Sequence, residues 1–261
     1  MLVLGLGRMG LTLALALASV GHDVSGYDPS ERAASSAASY GIRTVGSSDP
    51  SGYDAVLAAV PLGASASVAR EVCPRVGPTG IYADVSTLKS EVNAALRDCR
   101  GPLRISVHPL FGRGARGIAG RPIALTPIED AAREARAASE LFRGAELLIM
   151  DEAEHDEAVA YSIVLPHVLG YLFRAASRGH PRLPATSRTL QELAAAVETE
   201  DPELTAYLMA RDPASRVVDE LEGLLSALRS GVSGAALESM RGDWPERRAL
   251  YDSAYRVLDC L

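Results

Sequence analysis

Hydrophobic residues in the first half of the chain form short runs that alternate with amphipathic stretches. The runs have strand length and lie at residues 2–5, 23–27, 55–60, 80–83, 103–107, 122–125 and 146–149. Helix-like stretches lie between them at 9–20, 33–40, up to 73, 89–99 and 129–142. Strands that alternate with helices are typical of a mostly parallel sheet covered on both faces.

The pattern changes near residue 150, after which no further strand is predicted. Helical patterns separated by Pro and Gly signals cover residues 151–178, 188–197, 202–210, 215–229 and 234–258. We therefore predict a Rossmann-like, doubly wound α/β domain over residues 1–150, followed by an all-helical domain over residues 151–261. Because about 110 residues cannot hide all the apolar faces of the last helices, we also predict that the helical domain forms a homodimer.

A G-x-G-x-x-G loop follows the first strand and opens the first helix. Its glycines allow a tight turn and close approach to a pyrophosphate, which the helix N-terminus attracts. The predicted cofactor-binding residues are Gly5, Leu6, Gly7, Arg8, Met9, Gly10, Asp28, Val60 and Pro61. Asp28 ends the second strand and favours NAD over NADP, since a carboxylate repels a ribose 2′-phosphate, although Arg32 could face that phosphate.

Polar residues follow two later strands at what should be the ligand-binding edge of the sheet. Thr87 and Lys89, the only lysine among 261 residues, follow one strand, and His108 follows the next. The carboxyl ends of strands line the ligand crevice in such a sheet, so these side chains should converge near a nicotinamide. A histidine there can take a proton from an alcohol while hydride leaves the same carbon. We predict that His108 and Thr87 are catalytic.

The long apolar helix carries two further histidines. His155 and Asp156 are interpreted as residues that cap its start, and His167 as a residue of the substrate cleft, with a buried core histidine as the alternative. The histidine spacing indicates no metal site. The three cysteines form no CxxC pair, so neither a disulfide framework nor a zinc site is indicated and a reducing compartment is expected.

Composition narrows the possible partners and location. The net charge of −7 leaves no basic excess for nucleic acid. The apolar run at 11–20 is similar to the core of a signal peptide, but it follows the glycine loop and lacks a basic segment before it. No run reaches the roughly 18 apolar residues of a membrane span. We expect a cytoplasmic protein that binds neither nucleic acid nor membrane.

Four segments resemble one known family in order and approximate spacing: the glycine loop, DVSTLK at 84–89, HPLFGRG at 108–114 and EHDEAVAYSIVLPH at 154–167. A weaker similarity covers SRTLQELAAAVETEDPEL at 187–204. Together they resemble the prephenate dehydrogenases and the related arogenate dehydrogenases. The resemblance is to the compact, monofunctional form, without a fused chorismate mutase or a regulatory tail.

The resemblance implies an oxidative decarboxylation in tyrosine biosynthesis. Hydride leaves C4 of prephenate for NAD, the C4 hydroxyl becomes a carbonyl, and the ring carboxylate departs as CO2, which gives 4-hydroxyphenylpyruvate. By resemblance, His108 polarises or deprotonates the hydroxyl, and Thr87 bonds that hydroxyl and the nicotinamide amide. Lys89, His167 and Arg188 match residues that the family uses around its anionic cyclohexadienyl substrate.

One position departs from the family pattern. Members usually have an arginine for a substrate carboxylate where this chain has Ala196. Either Arg188, Arg113 or Arg116 binds the anion instead, or the substrate differs, so arogenate and 4-amino-4-deoxyprephenate remain open.

Two other functional classes share the predicted cofactor loop. β-Hydroxyacid dehydrogenases and imine reductases usually carry a catalytic lysine or aspartate on the interdomain helix, and residues 151–171 contain no lysine. A non-catalytic dinucleotide sensor would keep the glycines and Asp28 but would not need His108 and Thr87 at adjacent strand ends.

Overall fold

The computed structural model describes residues 1–112, 115, 117–178, 187–200 and 202–231. The chain divides into two compact units, Met1–Val159 and Ala160–Leu261. The predicted domain boundary after residue 150 stays a prediction, and by packing the first unit also includes the helix Glu152–Val159.

The first unit is built on one eight-stranded sheet in the order β3-β2-β1-β4-β5-β6-β7-β8. Its strands are β1 Leu2–Leu4, β2 Ser25–Tyr27, β3 Arg43–Thr44, β4 Ala55–Ala58, β5 Ile81–Asp84, β6 Leu103–Pro109, β7 Pro122–Leu125 and β8 Glu146–Ile149. Its helices are α1 Arg8–Ser19, α2 Glu31–Ser39, α3 Ser65–Val72, α4 Ser90–Asp98, α5 Ala131–Leu141 and α6 Glu152–Val159. Only β6 and β7 pair antiparallel. The predicted Rossmann-like fold is confirmed.

Both faces of the central strands are buried, which explains why these strands read as continuous apolar runs. Val3 and Leu57 lie in one core cluster, whereas Leu2 and Val56 lie in the cluster on the other face. The parallel register pairs Leu2 with Val56 and Val3 with Leu57, so successive side chains alternate between the two clusters.

The hydrophobic pattern of the sequence does not predict the edge strand β3. It has only two residues, Arg43 and Thr44, and both are exposed. Its pairing with β2 is supported by the Arg43 guanidinium, which donates to Ser25 Oγ from Nε at 2.9 Å. A short, charged edge strand also discourages pairing with other chains.

The second unit is helical throughout its described part. Its helices are α7 Leu165–Ala176, α8 Arg188–Glu198, α9 Pro202–Met209 and α10 Asp212–Arg229. The predicted single helix 151–178 is interrupted by a wider π turn at Ala160–Val164, just before Pro166, which has no amide for the preceding turn. The predicted helix 234–258 lies outside the described residues.

Among the described residues, one helical stretch, Glu152–Ala176, is long and apolar enough to cross a membrane. A core helix of a soluble protein can have the same length and composition. His155 and His167 lie on this stretch, and both side chains are buried.

Cys73 and Cys99 form a disulfide, although the cysteine pattern of the sequence indicates no disulfide framework and a reducing compartment was expected. Both are buried in the core cluster between α3 and α4. The sequence gives no signal for this pair because the two residues are 26 positions apart and only the packing of α3 against α4 brings them together. A bridge buried this deeply meets a soluble reductant only when the unit opens.

Removing this bridge should lower stability measurably. We expect the double variant Cys73→Ser/Cys99→Ser to lose about 2–4 kcal/mol of unfolding free energy, mainly because the unfolded chain gains freedom. Urea titration of both proteins measures the difference, with Cys260→Ser as the control for replacing a thiol. Equal unfolding midpoints for wild type and the double variant would contradict a stabilising bridge.

Candidate active site

Two glycines bring the first strand, the fourth strand and helix α1 into close contact. Gly5 ends β1 with φ of +86°, and a Cβ there would lie 2.4 Å from the carbonyl oxygen of Ala59. A Cβ on Gly10 would lie 2.0 Å from the carbonyl oxygen of Gly5. Neither position can carry a side chain without moving backbone, so these glycines fix the turn between β1 and α1.

The start of α1 has the open geometry that a phosphate group needs. Gly7 is the N-cap and supplies no side chain to bond the amides of the first turn. A Cβ on Gly7 would meet nothing within 4 Å, so the space in front of the helix is clear. Arg8 and Met9 begin the helix, and Leu6 is buried beneath the loop. The residues present therefore fit a dinucleotide pyrophosphate at this helix N-terminus.

Asp28 lies directly after β2 and holds the glycine loop. Its Oδ2 accepts a hydrogen bond from the Leu6 amide at 2.7 Å, and its Oδ1 accepts from the Ser30 amide at 2.8 Å. Each carboxylate oxygen keeps a further lone pair for a ligand hydroxyl. Val60 and Pro61 follow β4, the strand beside β1 at which the strand order of the sheet reverses.

Thr87 follows β5, and His108 lies near the end of the neighbouring parallel strand β6, which extends two residues beyond the predicted strand 103–107. β5 and β6 are paired through Asp84 and Ser106, so their carboxyl ends lie at the same edge of the sheet. His108 is the next-to-last residue of β6, and it is only 6% exposed. Thr87 lies in the segment after β5 and is partly exposed.

A row of polar side chains lies behind His108. His108 Nδ1 is 3.0 Å from His155 Nε2, and His155 Nδ1 is 2.9 Å from Asp156 Oδ1. His155 is 1% exposed. The interpretation of His155 and Asp156 as helix caps is wrong: Asp151 caps α6, since its Oδ1 accepts from the Glu154 amide at 2.8 Å.

Lys89 is completely buried in the first unit. Its Nζ donates to the carbonyl oxygen of Val107 at 2.6 Å and lies 3.9 Å from Asp84 Oδ1. Asp84 Oδ1 also accepts from the Ser86 amide at 2.8 Å. This burial does not fit the predicted contact between Lys89 and a substrate, and the side chain instead supports β6 beneath His108.

Burial and neighbouring charge shift three pKa values at this site. Burial lowers the pKa of Lys89 to about 8, although the carboxylates of Asp84, Asp156 and Glu152 oppose that shift. Burial also raises the pKa of Asp84. The pKa of His108 is held well below its ordinary value, first by burial and then by Lys89 and His155. His108 is therefore a neutral imidazole at physiological pH and can accept a proton.

Comparison with known proteins identifies the family. The family described as "Prephenate dehydrogenase, nucleotide-binding domain" matches residues 13–147, just over half of the chain. The chain belongs to the prephenate dehydrogenase family. It is a dehydrogenase, and its first unit is the nucleotide-binding domain of that family. No protein of curated function matches the sequence.

Solved structures show the same fold over nearly the whole chain. Prephenate dehydrogenase from A. aeolicus, in complex with hydroxyphenyl propionate and NAD+, is 17% identical with a TM-score of 0.76, over 100% of this chain and 97% of that chain. Synechocystis arogenate dehydrogenase is 20% identical with a TM-score of 0.66, over 99% and 98%. Mycobacterium tuberculosis 3-hydroxyisobutyrate dehydrogenase is less similar, at 20% identity and a TM-score of 0.52 over 84% and 92%.

The remaining residues predicted for this dehydrogenase lie in the second unit or outside the described part. His167 is buried on α7, and its Nδ1 is bonded to the carbonyl oxygen of Ile163 at 2.7 Å. Its Nε2 is buried and has no partner among the described residues. Arg188 begins α8 and donates to Glu192 Oε1 at 3.0 Å.

Three further positions are relevant to substrate binding, and the described residues as a whole are relevant to metal binding. Ala196 is exposed on α8. The predicted substrate residue Arg113 and its alternative Arg116 lie outside the described residues. Within the described part of the chain, no group of three His, Cys, Asp or Glu side chains could hold a metal ion.

Proposed function

We propose that this enzyme catalyses the NAD-dependent oxidative decarboxylation of prephenate to 4-hydroxyphenylpyruvate in tyrosine biosynthesis. The observation that supports this most strongly is the neutral, buried His108 at the carboxyl end of β6, one strand away from the segment that carries Thr87. Such an imidazole can accept the C4 hydroxyl proton as the hydroxyl becomes a carbonyl. Thr87 would hold that hydroxyl in the orientation required.

NAD is the cofactor of this proposal and accepts the hydride when bound. The glycine loop would hold its pyrophosphate against the N-terminus of α1, and Asp28 would accept hydrogen bonds from the adenine ribose hydroxyls. The solved relative from A. aeolicus contains NAD+, which supports the same choice. NADP fits less well because Asp28 would face its 2′-phosphate.

The assay that tests this proposal is NADH formation by the purified protein with prephenate, followed by absorbance. We expect NADH and CO2 in equal amounts, with 4-hydroxyphenylpyruvate as the product. Parallel reactions with arogenate and 4-amino-4-deoxyprephenate determine the substrate. If none of the three yields NADH, the proposal is wrong at the level of reaction class.

Arogenate is the second candidate substrate. Ala196 occupies the position where the resemblance implies an arginine that binds a substrate carboxylate. Either another residue binds that carboxylate in this enzyme, or the substrate differs. The Synechocystis relative named an arogenate dehydrogenase matches almost the full chain. A 3-hydroxyacid substrate is disfavoured, because residues 151–171 contain no lysine and their acidic residues cluster at the start of the stretch, whereas such enzymes usually carry a catalytic lysine or aspartate on this helix.

The homodimer is part of the proposal. Large apolar side chains remain exposed on the second unit, among them Leu172, which is 51% exposed, and Leu225, which is 57% exposed. Such side chains on two helices are typical of a surface covered by a second copy. A cytoplasmic location remains a prediction, as does the absence of nucleic-acid and membrane partners.

Asp28 should determine the cofactor preference. We expect wild type to have a kcat/KM at least tenfold higher for NAD than for NADP, a difference of about 1.4 kcal/mol. Asp28→Asn should narrow that ratio, because it removes the charge that repels a 2′-phosphate. The asparagine retains one oxygen to accept a loop hydrogen bond, whereas its amide nitrogen loses the other. Steady-state kinetics with both cofactors measure the ratio, with Glu31→Gln, an exposed acid on α2, as the control. A wild type that prefers NADP tenfold would overturn the assignment.

A further inference from the structure

We propose that His155 and Asp156 form a proton relay behind His108, which fixes the tautomer of His108 and takes up positive charge when His108 accepts the substrate proton. The inference rests on the proposed function, since it assigns two further residues to the same reaction. Its basis is the continuous line of side chains from β6 to α6, in which the contacts are 3.0 Å and 2.9 Å long.

The direction of each hydrogen bond follows from the end of the line. The Asp156 carboxylate can only accept, so His155 Nδ1 must carry the hydrogen that it shares with Asp156 Oδ1. A neutral His155 ring then has a lone pair on Nε2, and His108 Nδ1 must donate to it. His108 Nε2 is consequently left with a lone pair. The relay thus presents the nitrogen that a general base needs on the side of His108 away from His155.

Asp156 is itself held in place. Its Oδ1 also accepts from the backbone amide of Lys89, at 3.3 Å, at the start of α4. The side chain of Asp156 is 14% exposed, whereas the side chain of His155 is 2% exposed. The carboxylate therefore contacts solvent, whereas the histidine between it and His108 is shielded from water.

The charges around His108 explain why a relay would help. Lys89 at the start of α4 and Asp84 on β5 form a buried ion pair near it, and α6 contributes His155, Asp156 and Glu152. Burial and the Lys89 charge disfavour an imidazolium at His108. Movement of the proton on Nδ1 to His155 would transfer the positive charge to a ring that contacts a carboxylate.

The proton step balances without any further reactant. The hydroxyl O–H bond breaks as an N–H bond forms on His108 Nε2, and the His108 Nδ1–H bond breaks as an N–H bond forms on His155 Nε2. His108 ends neutral with its proton on Nε2, and His155 ends as an imidazolium beside Asp156. The hydride goes to the cofactor, so this relay moves only protons.

Two variants and one control test the relay by kinetics. Asp156→Asn removes the charge that orients His155, and His155→Gln keeps an acceptor for His108 but cannot take up a proton. We expect kcat to fall at least about tenfold in each, towards the roughly 10⁴-fold loss known when the buried aspartate of a serine-protease triad becomes asparagine. KM should change little. Glu157→Gln, an exposed acid on the same helix turn, should retain the wild-type kcat.

The pH profile separates a relay from a purely structural role. The Asp156 carboxylate stabilises the protonated form of the pair, so Asp156→Asn should move the acid limb of kcat/KM to lower pH. A merely structural Asp156 would lower the amount of folded enzyme and leave the limb in place. Thermal unfolding of each variant establishes the folded fraction to which the rates are normalised.

The tautomer can be read without any substrate. The chain has five histidines, and nitrogen-15 labelling of histidine distinguishes a protonated ring nitrogen from one with a lone pair. We expect His108 and His155 both to carry hydrogen on Nδ1 in wild type, and His108 to lose that single form in Asp156→Asn. The signals of His108 are assigned with His108→Asn. A wild-type His108 with hydrogen on Nε2 overturns the relay.

Failure of the relay differs from failure of the proposed function. If wild type forms no NADH with any of the three substrates, the function is wrong, and the tautomer measurement still decides the relay. If wild type is active and His108→Asn is inactive, but Asp156→Asn and His155→Gln retain the wild-type kcat and acid limb, the relay alone is wrong.

Discussion

Replacement of His108 by asparagine is expected to lower kcat by roughly 10²–10⁴-fold, the usual contribution of general acid–base catalysis. Asparagine has a similar size and retains a donor and an acceptor, but it cannot accept the proton that leaves the hydroxyl. KM should change little, because the imidazole acts mainly in the transition state. Steady-state kinetics with prephenate and NAD measure both constants.

The acid limb of the wild-type pH profile should lie below the ordinary histidine pKa of about 6.5. Sequence alone suggests a limb close to that value, but burial, Lys89 and His155 hold the pKa of His108 well below it. The sign follows directly: a lowered pKa keeps the base neutral, and hence active, at more acidic pH. The residual activity of His108→Asn should lack this limb.

His22→Asn is the matched control for that experiment. His22 lies after α1, and its Nε2 is bonded to the carbonyl oxygen of Leu141 at 2.8 Å, in a contact unrelated to the strand ends at His108. The same substitution there should leave kcat unchanged. If His108→Asn has a kcat near that of wild type, or retains the same acid limb, another residue is the general base, and His167 is the next candidate.

Local sequence signals were sufficient for the cofactor loop. Gly5, Gly7, Gly10 and Asp28 occur at spacings that one strand–turn–helix unit and its neighbour impose, so their positions follow from short-range geometry. The position of His108 in the sheet was also predictable, because the carboxyl ends of parallel neighbouring strands lie at the same edge of a doubly wound sheet. These inferences need the order of the elements but not the packing of particular side chains.

The partners of His108 were not predictable in this way. His155 contacts it across 47 residues, and only the packing of α6 against the end of β6 brings the rings together. The burial of Lys89 was not predictable for the same reason, since it depends on how the start of α4 packs on the sheet. The Cys73–Cys99 bridge and the π turn likewise depend on contacts beyond the local pattern.

Replacement of Lys89 by methionine should destabilise the first unit by about 3–5 kcal/mol, the usual effect of breaking a buried ion pair. Methionine fills similar volume, but it leaves Asp84 without its counter-charge and the carbonyl of Val107 without its donor. The two hydrogen bonds that Asp84 Oδ1 accepts from the amide and the hydroxyl of Ser86 remain, but they do not replace the charge of Lys89. Urea titration followed by circular dichroism measures the loss.

The double variant Asp84→Asn/Lys89→Met separates a structural lysine from a substrate-binding one. Removal of both charges should recover most of the lost stability, since neither group is then buried and unpaired. In the folded double variant, KM for prephenate should stay near that of wild type. The acid limb of the pH profile should move to higher pH, because the pKa of His108 rises when the Lys89 charge is removed. If Lys89→Met instead retains wild-type stability and raises KM sharply, Lys89 binds substrate, and the buried arrangement with Asp84 is not its function.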